Sequence, residues 1–229
     1  MMVYRKWFVA LVLGFFSFAA LATPTLPQNG VEYLTLDNPQ PTGTGNKIEV
    51  IEFFGYFCSV CNEFEPAFKD WMNQQGSNIV FKRVAVSFSD ASVSQQKLFY
   101  TLDAMGRLEE LHPKIFYAMH VERMPFRNDE QIFDFIEKNG VNRDQFMEIY
   151  KSSAIKSYTP AATQLQALFK IDSVPTLVID GRYVTSPAMV AKGYPNLPRA
   201  QLQDATQQVL DALVAKAKRE KTTRSVVRL

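Results

Sequence analysis

The sequence predicts an α/β chain in which a βαβ unit and a ββα unit share one sheet, with an all-helical segment inserted between them. Three observations carry that expectation. An apolar run at 47–54 is followed by a helical pattern and a second β-rich run. From about Ser92 to Phe169 the spacing is helical, with almost no strand signal. A β run at Thr176–Ile179 then meets Asp180-Gly181, a strong two-residue hairpin signal, before a last long helical pattern. The 229 residues, 47% hydrophobic and 21% charged, exclude disordered, collagen-like and low-complexity classes.

The amino terminus has the pattern of an export signal. Met1–Lys6 carries Arg5 and Lys6 and no acid, Trp7–Ala19 is almost wholly apolar, and Ala20-Leu21-Ala22 fits a small-x-small cleavage site. A retained membrane anchor is the competing reading, but the apolar run is shorter than the ~20 residues a bilayer core needs. Cleavage after Ala22 removes two of the 25 basic residues and none of the 23 acidic ones, so the mature chain is neutral and no nucleic-acid partner is implied. Residues 23–46 read as a loose entry segment with a short strand near Val31–Leu36.

Lys47–Phe54 reads as a central strand, since both of its faces are apolar. Gly55 ends it, a helix is expected from Cys58 to Gln75, and Gly76 closes that helix. Asn78–Phe88 is the next β-rich run. Helices are expected at Ser94–Met105, Leu108–Glu122, Asp129–Asn139 (capped at Asp129), Arg143–Ser152 and Pro160–Phe169. Arg182–Thr185 is the return strand of the hairpin. The final helix, Pro198–Lys218, places Leu202, Ala205, Val209, Leu210 and Leu213 at helical spacing, and the basic tail at 216–229 is expected to fray. The domain limits that follow are a signal at 1–22, a discontinuous α/β domain at 23–90 and 160–229, and a helical insert at 91–159.

The chain has 2 cysteines, Cys58 and Cys61, one helical turn apart at a helix start. That count excludes a multi-disulfide scaffold. The unpaired N–H groups and partial positive charge of a helix start favour a thiolate, the attacking and leaving species of disulfide exchange. Cys58 in the first turn should face solvent and Cys61 should be shielded. Position therefore suggests Cys58 as the exchanging sulfur and Cys61 as the resolving one. Half of a zinc site would need about four ligands, and the only other candidates are His112 and His120, without a second CxxC. A purely structural disulfide of this loop length would stabilise little. Both histidines are expected on the helical surface, away from the cysteines.

Glu52 lies on the strand just before the cysteines, on one face with Ile48, Val50 and Phe54. Desolvation there would raise its pKa and suit it to exchange protons with Cys61 through water. The alternative is a side chain that snorkels at a sheet edge. Pro66 falls inside the following helix, where it either bends the helix or marks an early end. Glu65 and the basic pair Lys82-Arg83 are candidates for a partly buried ion pair. Val174-Pro175 precedes the later β run, and base rates favour a trans bond.

The segments EVIEFFGYFCSVCNEFE at 49–65 and VPTLVIDGRY at 174–183 resemble the DsbA family of periplasmic thiol:disulfide oxidoreductases. With the export signal, the spacing of the two blocks and the helical insertion, the resemblance covers essentially the whole mature chain. It implies a thioredoxin-like mixed sheet with an inserted all-helical domain. It also implies a redox-active Cys58–Cys61 disulfide, Cys58 as nucleophile, Cys61 as its buried partner and Glu52 as the buried acid beneath them. Val174 and Pro175 match the family's cis-proline loop, whose backbone would receive an extended substrate segment. No metal or other cofactor is implied. The implied partners are reduced exported proteins and a membrane quinone-linked, DsbB-like reoxidising protein, with the enzyme itself a monomer. The departure from the family is Ser59-Val60, where well-known members carry Pro-His. Val60 can neither donate a hydrogen bond nor carry charge, so a weaker depression of the Cys58 pKa and a less oxidising potential are expected. A reductase or isomerase, or a module that binds unfolded chains through Tyr56 and Phe57, are the alternatives. Only about two dozen residues separate Thr23 from the CxxC strand, too few for the dimerisation domain of family isomerases.

Overall fold

The computed structural model describes residues 26–227, and side chains through Arg224. The expected export signal at 1–22 lies outside the described residues. In chain order the elements are β1 (Tyr33–Thr35), β2 (Ile48–Phe54), α1 (Ser59–Gln75), β3 (Ile79–Ala85), α2 (Asp90–Ala104), α3 (Leu108–His120), α4 (Asp129–Lys138) and α5 (Arg143–Tyr150). They continue as α6 (Ser153–Leu168), β4 (Thr176–Ile179), β5 (Tyr183–Thr185), α7 (Pro187–Gly193) and α8 (Arg199–Val227), and a short 3-10 turn, Gly76–Asn78, follows α1. The strands form one mixed sheet in the order β1-β5-β4-β2-β3. Only β2 and β3 run parallel, and the remaining pairs are antiparallel.

Alternation along β2 divides the molecule into two cores. Ile48 and Val50 face Phe64, Phe68 and Trp71 of α1 and Val209, Leu210 and Leu213 of α8. Ile51 and Phe53 face the opposite core, which α2–α6 complete with Leu98, Phe99, Ile115 and Phe116, and Phe54 at the strand's end joins that core rather than the face of Ile48 and Val50 where it was expected. Every residue of β2 is buried, as a strand covered on both faces requires. The hairpin turns through Asp180 and Gly181, both at positive φ (50° and 63°). A Cβ on Gly181 would lie 2.2 Å from the Gln40 carbonyl oxygen, so glycine is needed there on two counts.

Several expectations are corrected. The helix assigned to Pro160–Phe169 begins seven residues earlier at Ser153, capped by Ser152, and Pro160 sits inside it. The cap of α4 is the Asn128 side chain, which accepts the Gln131 N–H, rather than Asp129. α2 starts at Asp90, and β3 stops at Ala85, short of Phe88. Through the described residues the basic tail continues α8, to Val227, where fraying was expected. It is held to the hairpin by Lys221 on Asp180 at 2.8 Å, and by Glu220, which accepts from Tyr183 Oη at 2.6 Å and from Arg182 at 2.9 Å. α7, capped by Ser186 with Pro187 opening it, had no counterpart in the expected elements. Pro66 does not end α1, which continues to Gln75. Among the described residues, no helix is long and apolar enough to cross a membrane.

Candidate active site

The turn after β2 delivers Cys58 to the N-cap of α1 in extended backbone conformation (φ −86°, ψ 114°). Its Sγ accepts the Cys61 N–H at 3.0 Å, the place a serine or aspartate oxygen usually fills. Cys58 is half-buried, Ser59 and Val60 are exposed, and Cys61 is 1% exposed. The two sulfurs are free thiols, and Cys58 Sγ donates to the Val174 carbonyl oxygen at 3.3 Å. Val174 and Pro175 thus close over Cys58 from a segment more than a hundred residues away in the chain. The bond between them is cis, which corrects the trans default.

Electrostatics separate the two thiols. Cys58 is held below an ordinary thiol chiefly by a hydrogen bond from the Cys61 thiol. Burial opposes this, and the backbone N–H groups of Cys61 and Val60 add to the lowering. Burial, together with the facing Cys58 sulfur, pushes Cys61 far upward. The solvent-facing sulfur is therefore the one that ionises, and the shielded one is the poorer leaving group.

Beneath α1 lies a chain of buried polar groups. Glu52 is 1% exposed and accepts from Arg83 Nε at 2.6 Å. Arg83 Nη2 donates to both oxygens of Glu65 at 2.9 Å, and its guanidinium stacks over Phe54 and Phe81. Burial raises the Glu52 pKa, and the Arg83 charge holds part of that rise back; the same pair of causes acts on Glu65. A negative charge on Glu52 raises both cysteines, so its protonation state is felt at the sulfurs. Lys82, the other member of the basic pair, instead meets Glu49.

The histidines are a second correction. His112 is 3% exposed rather than at the surface, and its Nδ1 lies 2.8 Å from the hydroxyl of buried Tyr56. Its Nε2 approaches Glu65 to 3.4 Å without the alignment of a hydrogen bond and is left unpaired. Burial, with the Arg83 charge, drives its pKa down to about 3, so it is neutral. His120 Nε2 donates to the Tyr56 carbonyl at 2.8 Å. α3 thus grips Tyr56, two residues before Cys58, at both its side chain and its backbone. Sequence reasoning missed this grip and the Arg83–Glu52 pair. The latter had a usable signal: parallel pairing of β2 with β3 puts Arg83 directly opposite Glu52. Among the described residues, no cluster of His, Cys, Asp and Glu is placed to hold a metal ion.

A family profile described as a DSBA-like thioredoxin domain matches residues 67–207. The thiol:disulfide interchange protein DsbA of Burkholderia cepacia is 38% identical over 213 residues, 92% of this chain and 95% of that protein. The chain belongs to the DsbA family. A second relative in that family, DsbA of Bordetella parapertussis, is 35% identical over 77% of this chain and 87% of its own length. The crystal structure of Pseudomonas aeruginosa DsbA superimposes with a TM-score of 0.76 at 28% identity, covering 84% of this chain and 95% of that one. The expected fold class, a thioredoxin-like mixed sheet with an inserted helical part, is the one found. The profile match begins at Ala67, so the cysteines rest on the relatives and on the geometry above.

Proposed function

We propose that this protein is a thiol:disulfide oxidoreductase that donates a Cys58–Cys61 disulfide to newly exported proteins in the periplasm. The observation that carries the reading is the split between the thiols: a half-exposed Cys58 held below an ordinary thiol, and a Cys61 buried and raised. A substrate thiolate attacks Cys58 Sγ of the disulfide and expels Cys61 as thiolate. Cys61, the stronger base, takes up a proton, and Glu52 is the buried acid that supplies it through water. A second substrate thiolate then attacks the substrate sulfur of the mixed disulfide and expels Cys58 as thiolate. Two electrons pass from the substrate dithiol to the cysteine pair, and one S–S bond is exchanged for another.

In this reading Val174 presents its backbone to an extended substrate segment, with Pro175 shaping the loop. Ser59 and Val60 set the potential at a less oxidising level than Pro-His. The chain works as a monomer after cleavage behind Ala22, and a membrane quinone-linked protein reoxidises it. The domain limits at 22 and 90 belong to the same reading, while the limit expected at 159 falls inside α6, so the insert runs to the end of that helix at Leu168. It is tested by oxidation of a reduced, unfolded model protein and by the redox potential against glutathione. Wild type should oxidise the substrate and Cys58→Ser should not. Activity retained in Cys58→Ser overturns the reading, and a potential as reducing as that of a thioredoxin, about −270 mV, reverses its direction.

A further inference from the structure

The two flanks of Cys58 differ in charge. On the Val60 side an apolar hollow is rimmed by Arg199, but Glu63 already pairs with that guanidinium at 2.6 Å. On the Phe57 side lies a cavity of about 340 Å³ between the insert and the active-site turn. Phe57 and Met119 give it an apolar wall, and Phe57 is steadied edge-to-face by exposed Phe88. Arg123 and Arg127, both exposed, stand among its lining residues, and no carboxylate does. Among the described residues neither guanidinium has an ion-pair or hydrogen-bond partner.

We propose that this cavity receives a client segment bearing aspartate or glutamate beside the cysteine under attack, with Arg123 and Arg127 as the specificity-determining residues. The proposal rests on the exchange activity argued above and names the class of client that the same site prefers. Cys58 follows Phe57 directly, so a chain whose sulfur reaches Cys58 has its flanking residues within reach of the cavity. The cis-proline loop covers Cys58 from the Val174 side, and the cavity borders the turn at Phe57. Charge complementarity selects the occupant, since two unpaired cations over an apolar wall favour an acidic segment and disfavour a basic one. Exposed pairs are individually weak, so the selectivity is modest and sensitive to salt.

The test uses two short reduced peptides, identical except that the cysteines are flanked by aspartates in one and lysines in the other. Wild type should oxidise the aspartate peptide about three- to tenfold faster at low ionic strength, with the ratio falling toward one at high salt. Arg123→Gln/Arg127→Gln should erase the ratio, and Arg123→Glu/Arg127→Glu should invert it. Equal rates in wild type, or a ratio that charge reversal leaves unchanged, overturn the proposal. Serine-for-cysteine versions of both peptides, followed by fluorescence anisotropy, separate this from the parent reading. Preferential binding of the acidic peptide without oxidation of either cysteine peptide would sink the exchange activity and keep the surface. Oxidation of both at one rate, with equal binding, would keep the activity and sink the surface.

Discussion

Arg83→Met tests the buried polar chain most sharply. The Arg83 side chain is 6% exposed and lies between Glu52 and Glu65, whose side chains are 1% and 12% exposed. Methionine keeps much of the aliphatic volume but strands two carboxylates without their counter-ion. Breaking a buried ion pair from one side costs about 3–5 kcal/mol. For a chain of this size about 2–4 °C of Tm accompanies each kcal/mol, so the expected loss is roughly 6–20 °C at neutral pH. The pH dependence gives a second signature. Burial already raises both carboxyls in the folded chain, and losing Arg83 raises them further. A raised folded pKa means that stability is present below the unfolded carboxyl value, about 4.3, and is lost as pH rises through the folded value. The deficit of Arg83→Met should therefore be largest at neutral pH and shrink on acidification toward about pH 4. Glu52→Gln and Glu65→Gln added to Arg83→Met should restore part of the stability by removing the stranded charge. Thermal melts followed by circular dichroism provide the measurement. A Tm loss under about 2 °C, or one that does not shrink with acidification, refutes the assignment of a charged Arg83 bridge.

Three further outcomes follow from the same geometry. Ultraviolet titration should find one thiolate forming below the ordinary thiol range, and Cys61→Ala should move it upward by removing the thiol donor. The neutral state of His112 makes folding acid-sensitive: with its folded pKa lowered to about 3, its stability contribution is complete above the unfolded value and lost as pH falls through about 3. His112→Phe should flatten that slope, while leaving the Tyr56 hydroxyl unpaired at a cost of about 1–3 kcal/mol at neutral pH, read from urea melts. Phe53→Ala, at a position 0% exposed between β2 and the helical insert, should cost about 3–5 kcal/mol in the same melts without changing their slope.

What was legible in the sequence was local. The Cys58–Cys61 spacing, the helix stop at Gly76 and the Asp180-Gly181 hairpin each depend on a few adjacent residues, and each appears where expected. What was illegible depended on partners far along the chain. His112 reads as one polar residue on a helix, and only the docking of α3 brings it to Tyr56, 56 positions away. The Val174-Pro175 bond is cis although X–Pro bonds by default are trans, and the loop that carries it meets Cys58, 116 positions away in the chain. Past Ala217 the apolar spacing of α8 lapses, and the helix persists there because Glu220 and Lys221 reach the hairpin. Pro160 looked like a helix start because proline favours that position, while the cap at Ser152 was too weak a signal to outweigh it.

The sulfur that caps α1 links two quantities usually measured apart. A thiolate at Cys58 meets the Cys61 amide and the positive end of the helix better than a divalent disulfide sulfur does, so reduction tightens the start of α1. Around a closed thermodynamic cycle, that gain reappears in full as an appetite for electrons, with about 1.4 kcal/mol corresponding to about 30 mV. A crosslink is ordinarily a brace on the unfolded chain; to the extent that the thiolate's gain at the helix start exceeds that brace, the reduced form melts above the bridged one, and the gap between the two melting points reads how readily the bridge is given away.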